Sequence, residues 1–274
     1  GRGACDTKGA MASMLEGIRT VMEEDGRPPV TLHFVACCNE ELGATGAHHL
    51  MKQGFRADLC VAGEPTDMRI VHAHKGIVRV RISAKGLAAH SSDPSRGVNA
   101  IGKMMSVLET LERKLQPALK KIVHPLLGHP TLNVGTIHGG TQVNVVPASC
   151  VVEVDRRFVP GETREGVLDQ ILDVVESEAD VACEELEYYP ALEQRTDSPV
   201  VRCVEQACKK VLGRSELAVA PWGSDAGVFS AAGIPSVLIG PGSILQAHTQ
   251  DEFISLDQVA VAARLYAEII RSSM

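Results

Sequence analysis

Near residue 75 the hydropathy of this chain changes period, and that change constrains its fold more than any other feature. Residues 77–84, Ile-Val-Arg-Val-Arg-Ile-Ser-Ala, alternate apolar with polar side chains. This is the pattern of a strand in a sheet with one packed and one wet face. The segments before it read differently. Residues 30–36 and 57–62 are short β-rich, largely apolar runs, as expected of strands inside a layered domain. Apolar positions at 11, 14, 15, 18, 21 and 22 give helical spacing over 6–24, closed by Gly26-Arg27-Pro28-Pro29, and helical spacing returns over 45–53. Residues 1–62 therefore alternate helix and strand, which predicts an α/β domain with a mainly parallel sheet.

The alternating strand opens a different series. A helix is expected over 98–115, strands over 131–137 and 150–158, a helix over 164–179, and a short strand over 185–189. The order β-α-β-β-α-β is the split ferredoxin-like arrangement. After Pro190 the α/β character resumes, with helices over 199–212, 226–232 and 256–270 and a strand over 234–239 that ends at Gly240-Pro241-Gly242. At 274 residues the chain has room for two modest domains. The economical division is one α/β domain made of 1–74 and 189–274, interrupted by an α+β insertion at 75–188.

Composition removes several function classes. Aromatics are only 3%, so rows of stacking rings for single-stranded nucleic acid are not expected. The net charge is −7 and no long basic run offers a phosphate-binding face. No apolar run has the length of a membrane span. Neither Gly1-Arg2-Gly3 nor Gly240-Pro241-Gly242 fits a dinucleotide or P-loop fingerprint. The eight cysteines form no CxxC pair and lie in apolar segments. They read as reduced thiols of a cytoplasmic protein and not as a zinc knuckle.

Four clusters carry possible chemistry. Asp6 sits in Cys5-Asp6-Thr7-Lys8-Gly9, where an N-cap aspartate is the ordinary reading. Glu40 and Glu41 follow the run 30–36, where charged turns are common. Glu64 follows the run 57–62 in Gly63-Glu64-Pro65-Thr66, and His248 lies in Ala247-His248-Thr249-Gln250-Asp251-Glu252, after the strand over 234–239. Each alone has a bland explanation. As a set they gather at strand and helix ends of one domain, where open α/β sheets bind ligands. Carboxylates plus an imidazole suit zinc, cobalt or manganese. One of the adjacent glutamates is then free to act as a general base.

These residues, with His74-Lys75-Gly76, Ala89-His90-Ser91-Ser92-Asp93-Pro94, Gly139-Gly140, Asn144-Val145-Val146-Pro147 and Gly240-Pro241-Gly242-Ser243, make the chain resemble the zinc aminoacylase and carboxypeptidase superfamily. That superfamily includes acetylornithine deacetylases, succinyl-diaminopimelate desuccinylases and glutamate carboxypeptidases. The resemblance covers essentially the whole chain and is nearest to the acetylornithine deacetylases. It implies a three-layer, zinc-peptidase-like catalytic domain and an inserted domain that serves as lid and homodimer contact. It further implies hydrolysis of an N-acyl amino acid, N-acetylornithine foremost, with desuccinylation or dipeptide and carboxypeptidase cleavage as alternatives. By the same resemblance Asp6 bridges two Zn2+ ions, Glu41 and His248 complete the first site, and Glu64 holds the second. Co2+ or Mn2+ are possible substitutes. Glu40 is the general base and His90 the oxyanion donor, in its own or the partner's site. Asn144, Arg157 and the backbone of Gly240, Gly242 and Ser243 bind the substrate carboxylate.

The family also carries a His-x-Asp motif upstream of the segment matching residues 1–9, the source of a histidine for the second metal. None of the ten histidines here stands in that context. The first metal set is therefore expected to be complete and the second to be one ligand short, with apolar sheet surface left open. On this reading the sequence is a fragment, the product of a gene without its start, or a chain whose fold another chain completes. The competing reading is a non-catalytic homologue that persists as a dimerisation or metal-binding module.

Overall fold

The computed structural model describes residues 1–176 and 178–272. In chain order the strands are β1 (Cys60–Ala62), β2 (Ile70–His74), β3 (Gly76–Lys85), β4 (Thr131–Gly139), β5 (Ser149–Phe158), β6 (Val181–Tyr189), β7 (Leu192–Glu193), β8 (Leu217–Ala220) and β9 (Ser236–Leu238). The helices are α1 (Gly9–Glu24), α2 (Thr45–Lys52), α3 (Ala100–Thr110), α4 (Gln116–Leu119), α5 (Arg164–Val175), α6 (Pro199–Leu212), α7 (Asp225–Ala231) and α8 (Leu256–Ser272). Two compact units result. The first comprises Gly1–His74, Leu192–Ala220 and the chain from Ser224 onward; the second comprises Lys75–Ala191 and Pro221–Gly223. None of the described helices is long and apolar enough to cross a membrane.

The second unit is a four-stranded antiparallel sheet of order β4-β5-β3-β6, the ferredoxin-like order. The alternation in β3 does what its period requires. Val78, Val80, Ile82 and Ala84 are buried beneath α3 and α5, together with Val152, Val154, Met104 and Ile171. The intervening arginines face the other way, directly opposite acids: Arg79 pairs with Asp155 at 3.0 Å and Arg81 with Glu153 at 2.8 Å. Such cross-strand pairs fix register on a wet face. Thr163 caps α5, its hydroxyl accepting the Gly166 N–H at 3.1 Å. The helix expected over 164–179 ends at Val175, and Ser177 lies outside the described residues.

The first unit is a mixed sheet in which β1–β9 and β2–β8 are parallel ladders, while β2–β7 and β2–β9 are short antiparallel contacts. Helices α1, α6 and α8 pack on it around Val201, Val204, Val237, Leu265 and Ile269. Gly17 lets α1 lie against α8, since a Cβ there would stand 2.9 Å from the Ala263 carbonyl oxygen.

The structure departs from the sequence reading at three places. The run 30–36 joins no ladder among the described residues and lies at the surface, with Leu32, Phe34 and Val35 exposed. Its side chains have strand character, but a strand is defined by pairing, and no described segment lies alongside to complete its hydrogen bonds. Together with β1 it lines a cavity of about 540 Å³ whose apolar wall includes Met14, Phe229 and Ile269. Second, α1 begins at Gly9 and its cap position is Lys8; Asp6, at φ −117° and ψ 89°, stands before the helix and is not its N-cap. Third, β2, β7 and β8 lie in segments that the hydropathy reading left unassigned. They are short, and β2 is buried along its whole length, so no alternation marks it.

Candidate metal centre and active site

Glu40, Glu41 and Glu64 of the first unit follow the run 30–37 or a strand, whereas Asp6 stands just ahead of α1. The run 30–37 delivers the chain to Asn39, whose left-handed φ of 55° turns it into a single helical turn, Glu40–Leu42, closed by Gly43 at φ 86°. β1 ends two residues before Glu64. β9 leads through the glycine turn to His248, itself held at φ 60°.

These turns bring Asp6, Glu41 and His248 together. One ligand atom from each lies within 4.8 Å of the others. His248 Nε2 stands 2.8 Å from Glu41 Oε1 and 3.2 Å from Asp6 Oδ2. Glu40 and Glu64 line the same cavity, as does Asp225. Burial, and then the neighbouring Glu41, push the Asp6 carboxyl above its ordinary range, against the pull of His248 and Arg2. Glu64 is raised well above the usual carboxylate value, first by burial and next by Glu40 and Asp6. Asp225 Oδ1 is buried and has no hydrogen-bond partner among the described residues. Like-charged groups this close, with an orphaned acceptor among them, fit a divalent cation better than they fit one another. The donor set of two carboxylates and one imidazole nitrogen matches a zinc-type site. For a second ion the same cavity offers Glu64 and the shared Asp6.

The remaining residues named from the sequence fall into two groups. In the second unit His90 and Asn144 are neighbours: the Ser91 N–H donates to the Asn144 carbonyl at 3.0 Å, and His90 bridges to Val145. His90 Nδ1 accepts the Ser92 N–H at 3.2 Å. The same nitrogen lies 2.7 Å from Ser92 Oγ. Arg157 is held by Asp155 through two bonds of 2.6 and 3.0 Å. In the first unit the amide of Gly240 donates to Thr66 Oγ1 at 3.1 Å and that of Gly242 to Gln258 Oε1 at 2.6 Å. Gly242 is at φ 86°, where a Cβ would collide with the Cys5 sulfur. The Ser243 carbonyl accepts from the Cys5 thiol.

Sequence reasoning passed over three groups. Asp225 starts α7 and belongs to no motif singled out. Arg2 donates to Glu41 Oε1 at 2.6 Å. Glu252 accepts the N–H groups of Gly3, Cys5 and Asp6. Those bonds, the Asp6 amide foremost, hold its carboxyl down at about 2. In the sequence it is only a carboxylate four residues after a candidate ligand. Only the fold shows that it turns toward the start of the chain.

Residues 1–272 match the family model described as peptidase family M20/M25/M40. The chain belongs to this family. An acetylornithine deacetylase of Vibrio parahaemolyticus is 34% identical over 267 residues, covering 94% of this chain and 68% of that protein. A tripeptidase from Staphylococcus aureus superposes with a TM-score of 0.79 at 27% identity, covering 99% of this chain and 71% of that one. A Bacillus subtilis protein described as a dinuclear metal binding peptidase of family M20 shares the fold, at a TM-score of 0.67 and 17% identity over 94% of this chain and 69% of that one. The M20 assignment makes this chain a homologue of hydrolases built on an α/β unit and a separate antiparallel one.

Proposed function

We propose that this M20 protein is a metal-dependent amidohydrolase that removes the acyl group from an N-acyl amino acid, with N-acetylornithine as the first candidate. The observation that carries the reading is the convergence of Asp6, Glu41 and His248, with Glu40 and Glu64 on the same cavity. The substrate choice is supported by the name of the curated relative at 34% identity. Asp6, Glu41 and His248 would hold a Zn2+ ion, and Asp6 with Glu64 would share in a second. When bound, such an ion polarises the amide carbonyl and makes water a usable nucleophile near neutral pH.

The chain's own residues supply the rest. Glu40 takes the proton of the attacking water and passes it to the leaving amine, so that acetate and a free amino group result. In this reading His90 is the oxyanion donor, in its own or the partner's site, a contact whose loss costs about 10²–10³ in kcat. Asn144 offers an amide N–H to the substrate carboxylate, and Arg157 a guanidinium, which exchanges part of its pairing with Asp155 for the ligand. The reading includes a homodimer through the second unit and a cytoplasmic setting, which the eight free cysteines favour.

The test pairs metal content after purification in zinc with an assay on N-acetylornithine, a succinylated amino acid and a tripeptide. Release of acetate that chelator abolishes and zinc restores supports the reading. Turnover of the tripeptide alone would move the protein to the peptidases. A protein that takes up zinc and hydrolyses none of the three fits the non-catalytic alternative.

A further inference from the structure

Asp6 and His248 can share a cation only if two segments at opposite ends of the chain are held in register. The groups that hold them are on the structure. Glu252 follows His248 by four residues and is 2% exposed. Its carboxylate points into the turn that carries Asp6. Oε1 accepts the N–H of Cys5 at 2.9 Å and of Asp6 at 3.0 Å, and Oε2 accepts the N–H of Gly3 at 3.0 Å. The Arg2 guanidinium lies 3.7 Å from Oε2 and 2.6 Å from Glu41 Oε1. One side chain thus touches the backbone of one candidate ligand, shares a strand of sequence with the second, and reaches the third through Arg2.

We propose that Glu252 is a positioning residue of the metal centre: its carboxylate clamps the turn of residues 3–6 and thereby sets the Asp6 carboxylate against the His248 imidazole. The proposal rests on the metal reading above. It requires a carboxylate in particular. Three N–H donors converge on two oxygens, which only an acceptor without hydrogens satisfies. Glutamine keeps one oxygen and turns an NH2 toward an N–H, leaving a buried donor unpaired. Aspartate keeps the charge but withdraws it by about 1.5 Å, the length of one C–C bond. Groups of this kind, which orient ligands without binding the ion, typically cost 10–100-fold in metal affinity when lost.

The experiment measures Co2+ affinity by chelator competition, and the visible absorption of the Co2+ form, for the wild-type protein, Glu252→Gln and Glu252→Asp. Thermal unfolding in chelator checks that each is folded. Expected are a 10–100-fold weaker affinity for Glu252→Gln with a shifted Co2+ absorption band, and values for Glu252→Asp between those two. The band position reports ligand geometry, which a residue serving only stability would leave alone. A folded Glu252→Gln with wild-type affinity and spectrum overturns the proposal. Where the glutamine variant does not fold, Glu252→Asp decides by the same criterion. Wild-type protein that binds no Co2+ overturns the metal reading itself, and the positioning role with it, an outcome separate from a wild type that binds and variants that bind equally well.

Discussion

The two units solve the same problem, hiding apolar strand faces, to different degrees. In the second unit β3 is paired along ten residues with β5 and along eight with β6, and its inward side chains are fully covered. In the first unit the apolar run 30–37 joins no ladder among the described residues, and with β1 it lines a cavity of about 540 Å³. Glu40, Glu41 and Glu64 follow the two walls of that cavity. The comparison teaches where stability and chemistry reside. The well-paired sheet carries a packed core, and the incompletely paired one carries the candidate chemistry.

The sharpest way to break this contrast is to remove the candidate base. Glu40→Gln is expected to lower kcat by about 10²–10⁴, the contribution of a positioned general base, while the thermal midpoint moves little. Steady-state hydrolysis of N-acetylornithine alongside thermal unfolding checks both. A variant that unfolds early instead would show that the cavity rim is structural.

The next effect lies in the cores. Ile82 is fully buried in the second unit, whereas Phe34 in the first is 37% exposed. Ile82→Ala is expected to cost about 2–5 kcal/mol, the usual loss plus cavity term, and Phe34→Ala under about 1 kcal/mol, as for surface changes. Urea unfolding of both variants reads the difference. Equal costs would mean that residues 30–37 are packed in solution against something that fills the cavity. A smaller effect concerns α5 of the second unit: Thr163→Ala removes its cap and is expected to cost about 1 kcal/mol, by the same assay.

What was legible in the sequence follows the same division. The alternation of 77–84 and its partners predicted the second sheet because a strand with one wet face writes its register into its side chains. Arg79 opposite Asp155 and Arg81 opposite Glu153 are that register made visible. β2, β7 and β8 left no such mark, being buried throughout or only a few residues long. The run 30–36 misled in the opposite sense, since β-rich side chains cannot say whether a partner strand is alongside. At the candidate site, the motifs named Asp6, Glu40, Glu41, Glu64 and His248, and the fold brings Asp6, Glu41 and His248 within reach of a single ion. Glu252, Asp225 and Arg2 were not legible, because their importance lies in contacts across more than thirty residues of sequence: Glu252 to Asp6, Asp225 to Cys37, and Arg2 to Glu41.

The smallest effect tests the character of the cavity itself. Cys37 and Cys60 line it, while the adjacent Cys38 is exposed. Burial first, and then Asp225, push the Cys37 thiol up to about 12; burial pushes Cys60 up to about 12 as well. A thiol must ionise to react. At pH 8 a group with a pKa near 12 is thiolate in only about one molecule in 10⁴, and the fraction rises with pH toward that value. Alkylation with iodoacetamide followed by peptide mapping should therefore label Cys38 first and leave Cys37 and Cys60 intact over the same interval. The order is informative because all three lie within one unit, two of them adjacent in sequence. Cys37 and Cys60 reacting as fast as Cys38 would mean a wet, open cavity, one in which the carboxylates of the site are also well solvated. Protection would mean that the apolar walls exclude water even where the sheet is unpaired, and that Glu40 and Glu64 stand in a medium of low polarity, where a bound cation acts on them most strongly.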